Sequence, residues 1–457
     1  MAGESSQSLL PPNRFGLNLS SRPAGISIRT RNRSCFRSSV AHGREATARK
    51  TMQAHGSKAL GRPSTPDRRP SARAANERFP AAHDRNRAAP GTGLGAERCC
   101  EKFLLALYRE NWNERDLSFN IDHRAMMKSD QKIPEQVDDD EELLQLMMED
   151  YRNSDAIYKT TNYWYKKTKR LYGFLLQNGL RDFRRNNDPK GTAGAVLRAF
   201  GATDNLNAAL NYEEAYDRAA SFRQSDNTAF LGSLSVSDVG NPEDLHDRGG
   251  SAYTNSWLNF YIRYCYVSRF MNLDNKVIVE LGSGSAKQAE LIKKAHPTAT
   301  ILLFDIIPQL YIQNQYLKKV FGKDFVDYEV CREMKSLDGI EAGKIYVFAN
   351  SQLPMISIGK VDLFWNAASF QEMEPNVVKH YLDIVSKATK NIYLMQHMKG
   401  QSVSTVPGTG GVLEAVTLET YKECLPDYTV VDLSRAELAN ADASSKTMYS
   451  DSFWTRD

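Results

Sequence analysis

From residue 277 onward, short apolar runs alternate with segments of helical periodicity. The apolar runs are Val277–Leu281, Ile301–Phe304, Ile345–Ala349, Val361–Trp365 and Ile392–Met395. Strands buried on both faces of a parallel sheet have this composition, because helices cover both faces. Amphipathic helices are predicted between several of them, at Ala286–Ala295, Gln309–Phe321 and Asn376–Ala388. This alternation predicts an α/β domain with a Rossmann-like, doubly wound, mostly parallel sheet.

The pattern changes after Leu413. A helix is predicted at Thr417–Cys424, with strands at Tyr428–Leu433 and Met448–Trp454. Little turn material separates that helix from the strand that follows it. We expect the last two strands to pair as an antiparallel edge of the sheet.

The chain upstream of this domain divides into two parts. Residues 1–125 are rich in Arg, Ser, Ala, Pro and Gly and have little to bury, which predicts a disordered tail. Residues 126–250 are predicted to form a helical region, with helices at Glu141–Tyr151 and Ala156–Asn178 and a loop at Phe230–Ser251. An aromatic helix at Ala252–Met271 then leads into the α/β domain, which we place at 251–457.

Charge is divided unevenly along the chain. Residues 1–100 carry 18 Lys and Arg against 6 Asp and Glu, whereas the rest of the chain carries 41 against 49. A folded core that binds nucleic acid is therefore disfavoured. Three interpretations of the basic tail stay open: a disordered or gene-model extension upstream of Met126, an organelle transit peptide, and a nucleic-acid-binding arm.

Membrane and metal functions find no support in the sequence. No apolar run approaches the ~20 residues that a bilayer span requires, and we expect a cytoplasmic protein, with organelle targeting by the Arg-rich tail as the alternative. The six cysteines form no C-x-x-C pair and no Cys/His cluster at zinc spacing. We expect no structural metal.

The first predicted strand runs directly into a glycine turn, Glu280-Leu281-Gly282-Ser283-Gly284-Ser285. Such a turn lets a ligand approach the backbone at the carboxyl edge of a sheet. A dinucleotide fingerprint would need Gly or Ala at 287, where Lys287 stands, and no G-K-[ST] follows for a P-loop. A carboxylate at Glu280 opposes a pyrophosphate but suits a cationic amino acid end. S-adenosylmethionine, which carries an α-ammonium, a sulfonium and no phosphate, fits these residues.

The ends of the next two strands carry further candidate cofactor contacts. Asp305 lies 21 residues beyond Gly284, a spacing at which an acid can bond both ribose hydroxyls of an adenosine. A helix N-cap is the structural alternative for Asp305. Asn350, just past the third strand, falls where an adenine would be contacted, and an ordinary turn explains it equally well.

These residues resemble a class I S-adenosylmethionine-dependent methyltransferase. Three further stretches make the chain similar to the sugar O-methyltransferase family: Asp305–Leu317, Asp362–Tyr381 and Ile392–Gln396. In that family the fourth strand ends in Asn, a small residue and Ser, followed by Gln-Glu-Met and Pro. The matching positions here are Asn366, Ser369, Gln371, Glu372, Met373 and Pro375. The resemblance covers about 150–457, and it departs at Ser285–Lys287, where the family is often richer in glycine.

The resemblance implies methyl transfer from S-adenosylmethionine to a hydroxyl of a sugar or glycosylated small molecule. The cofactor-binding candidates are Glu280, Gly282, Gly284, Asp305, Asn350 and Asn366. A base for the hydroxyl proton is expected near the ends of strands four and five, where His397 and Glu372 are the candidates. The alternatives are a solvent-facing loop residue for His397 and a helix-start charge for Glu372.

Two rival functions stay open. One is methylation of another small metabolite. The other is a non-catalytic binding protein of the same fold whose basic tail contacts a nucleic acid or a protein.

Overall fold

The computed structural model describes residues 136–180, 182–185, 211–222, 225–404, 406, 410–437 and 448–457. The predicted tail at 1–125 lies outside these residues, and the predicted boundary at residue 250 stays a prediction. Of the helices in this described part, none is both long and apolar enough to cross a membrane.

Helices precede the sheet. They are α1 (Glu141–Asn153), α2 (Tyr165–Asn178), α3 (Tyr212–Ser221) and α4 (Asn255–Ser268), and a hairpin of β1 (His246–Arg248) and β2 (Ser251–Tyr253) lies before α4. The Asp140 side chain caps α1 by accepting a hydrogen bond of 2.9 Å from the Leu143 N–H. The helix predicted at Glu141–Tyr151 is therefore confirmed, whereas part of the loop predicted at Phe230–Ser251 is a strand.

The single helix predicted at Ala156–Asn178 is wrong in its first half. A short 3-10 turn at Ala156–Tyr158 is followed by a bend at Lys159 and a turn at 162–164, and regular helix begins only at Tyr165. Long-range hydrogen bonds explain the break, because the Thr160 N–H donates to the Tyr151 hydroxyl and the Thr161 hydroxyl donates to the Glu372 carbonyl. These bonds hold the chain away from helical geometry.

Strands and helices then alternate as the sequence predicts. The strands are β3 (Val277–Leu281), β4 (Thr300–Asp305), β5 (Phe325–Val326), β6 (Ile345–Ala349), β7 (Leu363–Ala367), β8 (Asn391–His397), β9 (Thr429–Arg435) and β10 (Tyr449–Thr455). The helices among them are α5 (Lys287–Ala295), α6 (Gln309–Phe321), α7 (Tyr328–Cys331), α8 (Pro375–Ala388) and α9 (Leu418–Cys424).

One mostly parallel sheet contains β3 to β10, in the order β5-β6-β4-β3-β7-β8-β10-β9. Alternate residues of its strands pack into two separate cores. Ile301 and Leu303 of β4 belong to the core beneath α4, α5 and α6, while Leu302 and Phe304 belong to the core beneath α8 and α9. Helices thus cover both faces, and the predicted Rossmann-like, doubly wound fold is confirmed.

β10 is the reversed strand of the sheet. It pairs antiparallel with β8 on one side and with β9 on the other. The antiparallel pairing of the last two strands is confirmed, although only β9 lies at the edge. Because β10 runs against β8, its first residue Tyr449 lies opposite His397, at the carboxyl edge of the parallel strands.

The strand order reverses next to β3. The chain leaves β3 for β4 and β6 on one side and returns to β7 on the other side. In open α/β sheets, ligands bind outside the carboxyl ends of the strands at such a switch point.

Candidate active site

A cavity of about 430 Å³ lies at this switch point. Its wall contains the turn that follows β3, the ends of β3 and β4, the segment after β7 and one face of α4. Tyr449 from β10 and Trp164 from the segment before α2 also line it. Five predicted cofactor residues, Glu280, Gly282, Gly284, Asp305 and Asn350, line this cavity together with Glu372.

The glycine turn after β3 is shaped by its backbone. Gly282 and Gly284 have φ angles of 75° and 60°, in the left-handed region that glycine adopts without strain. A Cβ atom on Gly282 would lie 2.2 Å from the Ser369 hydroxyl oxygen. Glycine at 282 is therefore required by both the backbone angle and the approach of the segment after β7.

Asp305 fixes this turn from the end of β4. Its Oδ2 accepts hydrogen bonds from the Gly284 N–H (2.9 Å) and the Gln313 side chain (2.6 Å), and its Oδ1 accepts one from the Ile306 N–H (2.7 Å). The carboxylate joins the two strand ends and still faces the cavity.

Two buried acids share this end of the cavity. Burial raises the pKa of Glu280 to about 8, the charge of Arg263 opposes that rise, and the charge of Asp305 adds to it. Burial also raises the pKa of Asp305 to about 7, against the three hydrogen bonds that favour its ionised form. A ligand that brings positive charge or hydroxyl donors here would stabilise both carboxylates.

The two predicted asparagines have different positions. Asn350 lines the cavity, and its Nδ2 donates to the Tyr158 carbonyl (2.8 Å) and the Tyr381 hydroxyl (2.9 Å). Asn366 is completely buried and is not among the lining residues. Its Nδ2 donates to the Leu281 carbonyl at 2.8 Å, which ties the end of β7 to the end of β3.

Glu372 faces the other end of the cavity, beside the start of α2. Burial raises the pKa of its carboxyl group to about 7, while the charge of Lys167 and hydrogen bonds from the Tyr163 and Trp164 side chains oppose the rise. The Lys167 ammonium lies 3.6 Å from the centre of the Tyr163 ring and 4.4 Å from the centre of the Trp164 ring. A carboxyl group with a pKa near neutrality is suited to proton transfer.

His397 lies in the last position of β8 and is buried. It is not among the lining residues of the cavity, and its ring centre is 3.9 Å from that of Tyr449. Its backbone N–H donates to the Gln371 side chain at 2.6 Å. Burial lowers the pKa of the imidazole. Of the two predicted bases, the structure brings only Glu372 to the cavity.

Sequence reasoning missed the contribution of α4. Four of its residues line the cavity, at 256, 259, 260 and 263. This i, i+3, i+4, i+7 spacing forms one face of a helix, and the signal for it was the presence of Asn259 and Arg263 on an otherwise aromatic helix. In the part of the chain that the structure describes, no three His, Cys, Asp or Glu side chains are grouped so as to hold a metal ion.

The fold and the cavity together define a Rossmann-like protein with a cavity at its switch point. The sequence matches no protein-family profile and no curated protein. Similar solved structures include the pyocyanin biosynthetic protein PhzM, at 10% identity and a TM-score of 0.30, over 44% of this chain and 58% of that one. The matched part thus spans less than two thirds of PhzM.

Two further solved structures are similar over less than half of this chain. The magnesium protoporphyrin IX methyltransferase from Synechocystis, with bound SAH, matches at 9% identity and a TM-score of 0.32, over 44% of this chain and 83% of that one. The 1,6-didemethyltoxoflavin-N1-methyltransferase from Burkholderia thailandensis matches at 11% identity and a TM-score of 0.30, over 43% and 76%.

Proposed function

We propose that the protein is an S-adenosylmethionine-dependent O-methyltransferase that acts on a hydroxyl of a sugar or glycosylated small molecule. The observation that carries this proposal is the pair of buried strand-end acids, Glu280 and Asp305, on either side of the glycine turn. Two carboxylates oppose a pyrophosphate, whereas a sulfonium nucleoside with an amino acid end offers them an ammonium and two ribose hydroxyls.

The residues present fit this cofactor. In this proposal Asp305 accepts hydrogen bonds from ribose hydroxyls, Glu280 holds the α-ammonium and Asn350 contacts the adenine. When bound, S-adenosylmethionine supplies an activated methyl group at its sulfonium. Asn366 supports the site through its bond to the Leu281 carbonyl, and in this proposal it positions the turn without touching the cofactor.

Glu372 is the proposed general base. The acceptor hydroxyl loses its proton to the Glu372 carboxylate as its oxygen becomes the nucleophile. The pKa of about 7 supports this role, because a base acts best when its pKa lies near the working pH. His397 is a weaker candidate, since it is buried and not among the residues that line the cavity.

The aromatic wall near Glu372 supports a sugar acceptor. Trp164 lines the cavity, and Tyr163 and Lys167 lie next to it. Aromatic rings pack against the C–H faces of sugars, while nearby polar groups bind the hydroxyls.

The first test is calorimetric titration of S-adenosylhomocysteine into the full chain, alongside the variant Asp305→Asn. Micromolar binding that is lost in the variant supports the cofactor assignment. Asp338→Asn is the matched control, because Asp338 is exposed and is held by Lys360. A folded wild-type protein that binds no S-adenosylhomocysteine would overturn the proposal.

The second test is transfer of a radiolabelled methyl group from S-adenosylmethionine to a panel of sugars and glycosides. Label on a sugar oxygen supports the acceptor class. Label only on non-sugar metabolites would retain the methyltransferase and reject the sugar.

A further inference from the structure

Arg263 is a cationic side chain that α4 places in the wall of the cavity. Its Nε is buried and has no hydrogen-bond partner among the residues that the structure describes. The guanidinium carbon lies 4.8 Å from the centre of the Phe260 ring, a cation–π contact that uses a face of the group and none of its N–H donors. A buried donor without a partner is costly, so Arg263 is prepared for an acceptor from outside the chain.

Glu280 shares this end of the cavity with Arg263. Both residues line it, and the positive charge of Arg263 acts on the Glu280 carboxyl group, lowering a pKa that burial has raised. One wall thus presents a carboxylate and a guanidinium to the same space. An α-amino acid group carries the complementary charges, an ammonium and a carboxylate, on a single carbon.

A structural role for Arg263 is the main rival. Its charge also lowers the pKa of Asp451, a buried acid in β10. However, the Asp451 carboxylate already accepts a hydrogen bond of 2.6 Å from the Tyr393 hydroxyl, and Asp451 does not appear among the lining residues of the cavity. The position of Arg263 in the cavity wall therefore points to a ligand.

We infer that Arg263 binds the α-carboxylate of the cofactor while Glu280 binds its α-ammonium, so that the pair recognises the amino acid end as a zwitterion. This inference rests on the proposed function, because it assigns a part of the same cofactor. It assigns a role in cofactor binding to Arg263, the cationic side chain that α4 places in the cavity wall. The glycine turn and Asp305 do not account for recognition of the α-carboxylate.

The test compares S-adenosylmethionine with decarboxylated S-adenosylmethionine, which lacks only the α-carboxylate. Both are titrated calorimetrically into the full chain. We expect wild-type protein to bind the complete cofactor about 10- to 100-fold more tightly, the range of a charge-assisted hydrogen bond. In Arg263→Gln, this preference disappears, because the affinity for the complete cofactor falls while that for the analogue changes less than about twofold.

Two further variants keep the result interpretable. Arg263→Lys retains the charge without the planar fork, so we expect it to keep part of the preference even if Arg263→Gln folds poorly. Arg269→Gln, at the end of the same helix and paired with Asp432 at 3.9 Å, should leave both affinities unchanged.

The possible failures are distinguishable. Equal binding of both ligands by wild-type protein would overturn the inference and leave the proposed function standing. An equal loss of both affinities in Arg263→Gln would also overturn the inference and leave the proposed function standing. In that case the role of Arg263 would be structural, beside Asp451. A folded wild-type chain that binds neither ligand would overturn the proposed function itself.

Discussion

The two ends of the cavity differ in how far apart along the chain their parts lie. At the glycine-turn end, the Gly284 N–H in the turn after β3 and the Asp305 carboxylate at the end of the neighbouring β4 are separated by 21 positions. At the Glu372 end, the segment before α2 meets the segment after β7, and the bond from Thr161 to the Glu372 carbonyl joins residues 211 positions apart. The first end is made mainly of backbone and strand-end acids, and the second mainly of side chains.

This difference predicts that the two ends of the cavity have separate roles, one in cofactor binding and one in turnover. Changes at the glycine-turn end should alter cofactor affinity, because in the proposed function the backbone there contacts the cofactor. Changes at the Glu372 end should alter turnover and leave cofactor affinity intact.

Glu372→Gln should reduce kcat by about 10²- to 10⁴-fold, the usual contribution of a general base. The affinity for S-adenosylhomocysteine should stay within about twofold, since the amide keeps the size of the side chain. His397→Asn is the matched control and should keep most of the activity. If His397→Asn abolishes turnover and Glu372→Gln does not, the assignment of the base is wrong.

Gly282→Ala should weaken S-adenosylhomocysteine binding by at least about tenfold, because left-handed backbone strain of about 1–3 kcal/mol adds to the clash with Ser369. Calorimetric titration measures this effect. Gly322→Ala separates the two causes, since Gly322 also has a positive φ (50°) but has nothing within 4 Å of the added Cβ. An unchanged affinity in Gly282→Ala would show that the turn does not contact the cofactor.

Lys167→Gln should move the acidic limb of the kcat–pH profile upward by about half to one pH unit. The reason is that the charge of Lys167 lowers the pKa of Glu372, which burial has raised to about 7. In the proposed function Glu372 acts as a base when ionised, so activity should rise with pH through this region and be lost below it. The exposed neighbour Lys166 provides the control, since Lys166→Gln should leave the profile in place.

Glu280→Gln should raise the melting temperature of the ligand-free protein at pH 8 by roughly 2–6 °C. The raised pKa of Glu280 means that the folded protein retains a proton that the unfolded chain releases, so the stability falls as pH rises from the ordinary glutamate range to about 8. Gln removes this penalty, and the gain should vanish near pH 4. The exposed Glu341→Gln is the control, and a melting temperature that falls at pH 8 would contradict the explanation.

Much of the fold was predictable from sequence because its signals are local. The bounds of β3, β6 and α6 match the predicted segments, since each is a continuous apolar or amphipathic run. β5 was missed because two residues carry no periodicity. The place of β10 between β8 and β9 was also missed, because strand order depends on contacts between distant segments.

The same distinction applies to the cavity. The turn and strand-end residues from Glu280 to Asp305 were predictable, because the acids and glycines fall at fixed distances from strand ends. Two features of the Glu372 end were not predictable from sequence. They are the hydrogen bond that Tyr163 makes to Glu372 and the charge that Lys167 places near it. Their aromatic and cationic side chains are equally typical of ordinary helix packing. The local sequence does not indicate that they contact a residue about two hundred positions away.

The reversed strand β10 also connects the edge of the sheet to the cavity. β9 precedes β10 in the chain, yet in the described part of the sheet it pairs with β10, which in turn pairs with β8. β9 is therefore joined to the described sheet through β10, the strand that also brings Tyr449 to the cavity wall. Displacement of β10 would therefore take away the strand partner of β9 and remove Tyr449 from the cavity wall in a single event.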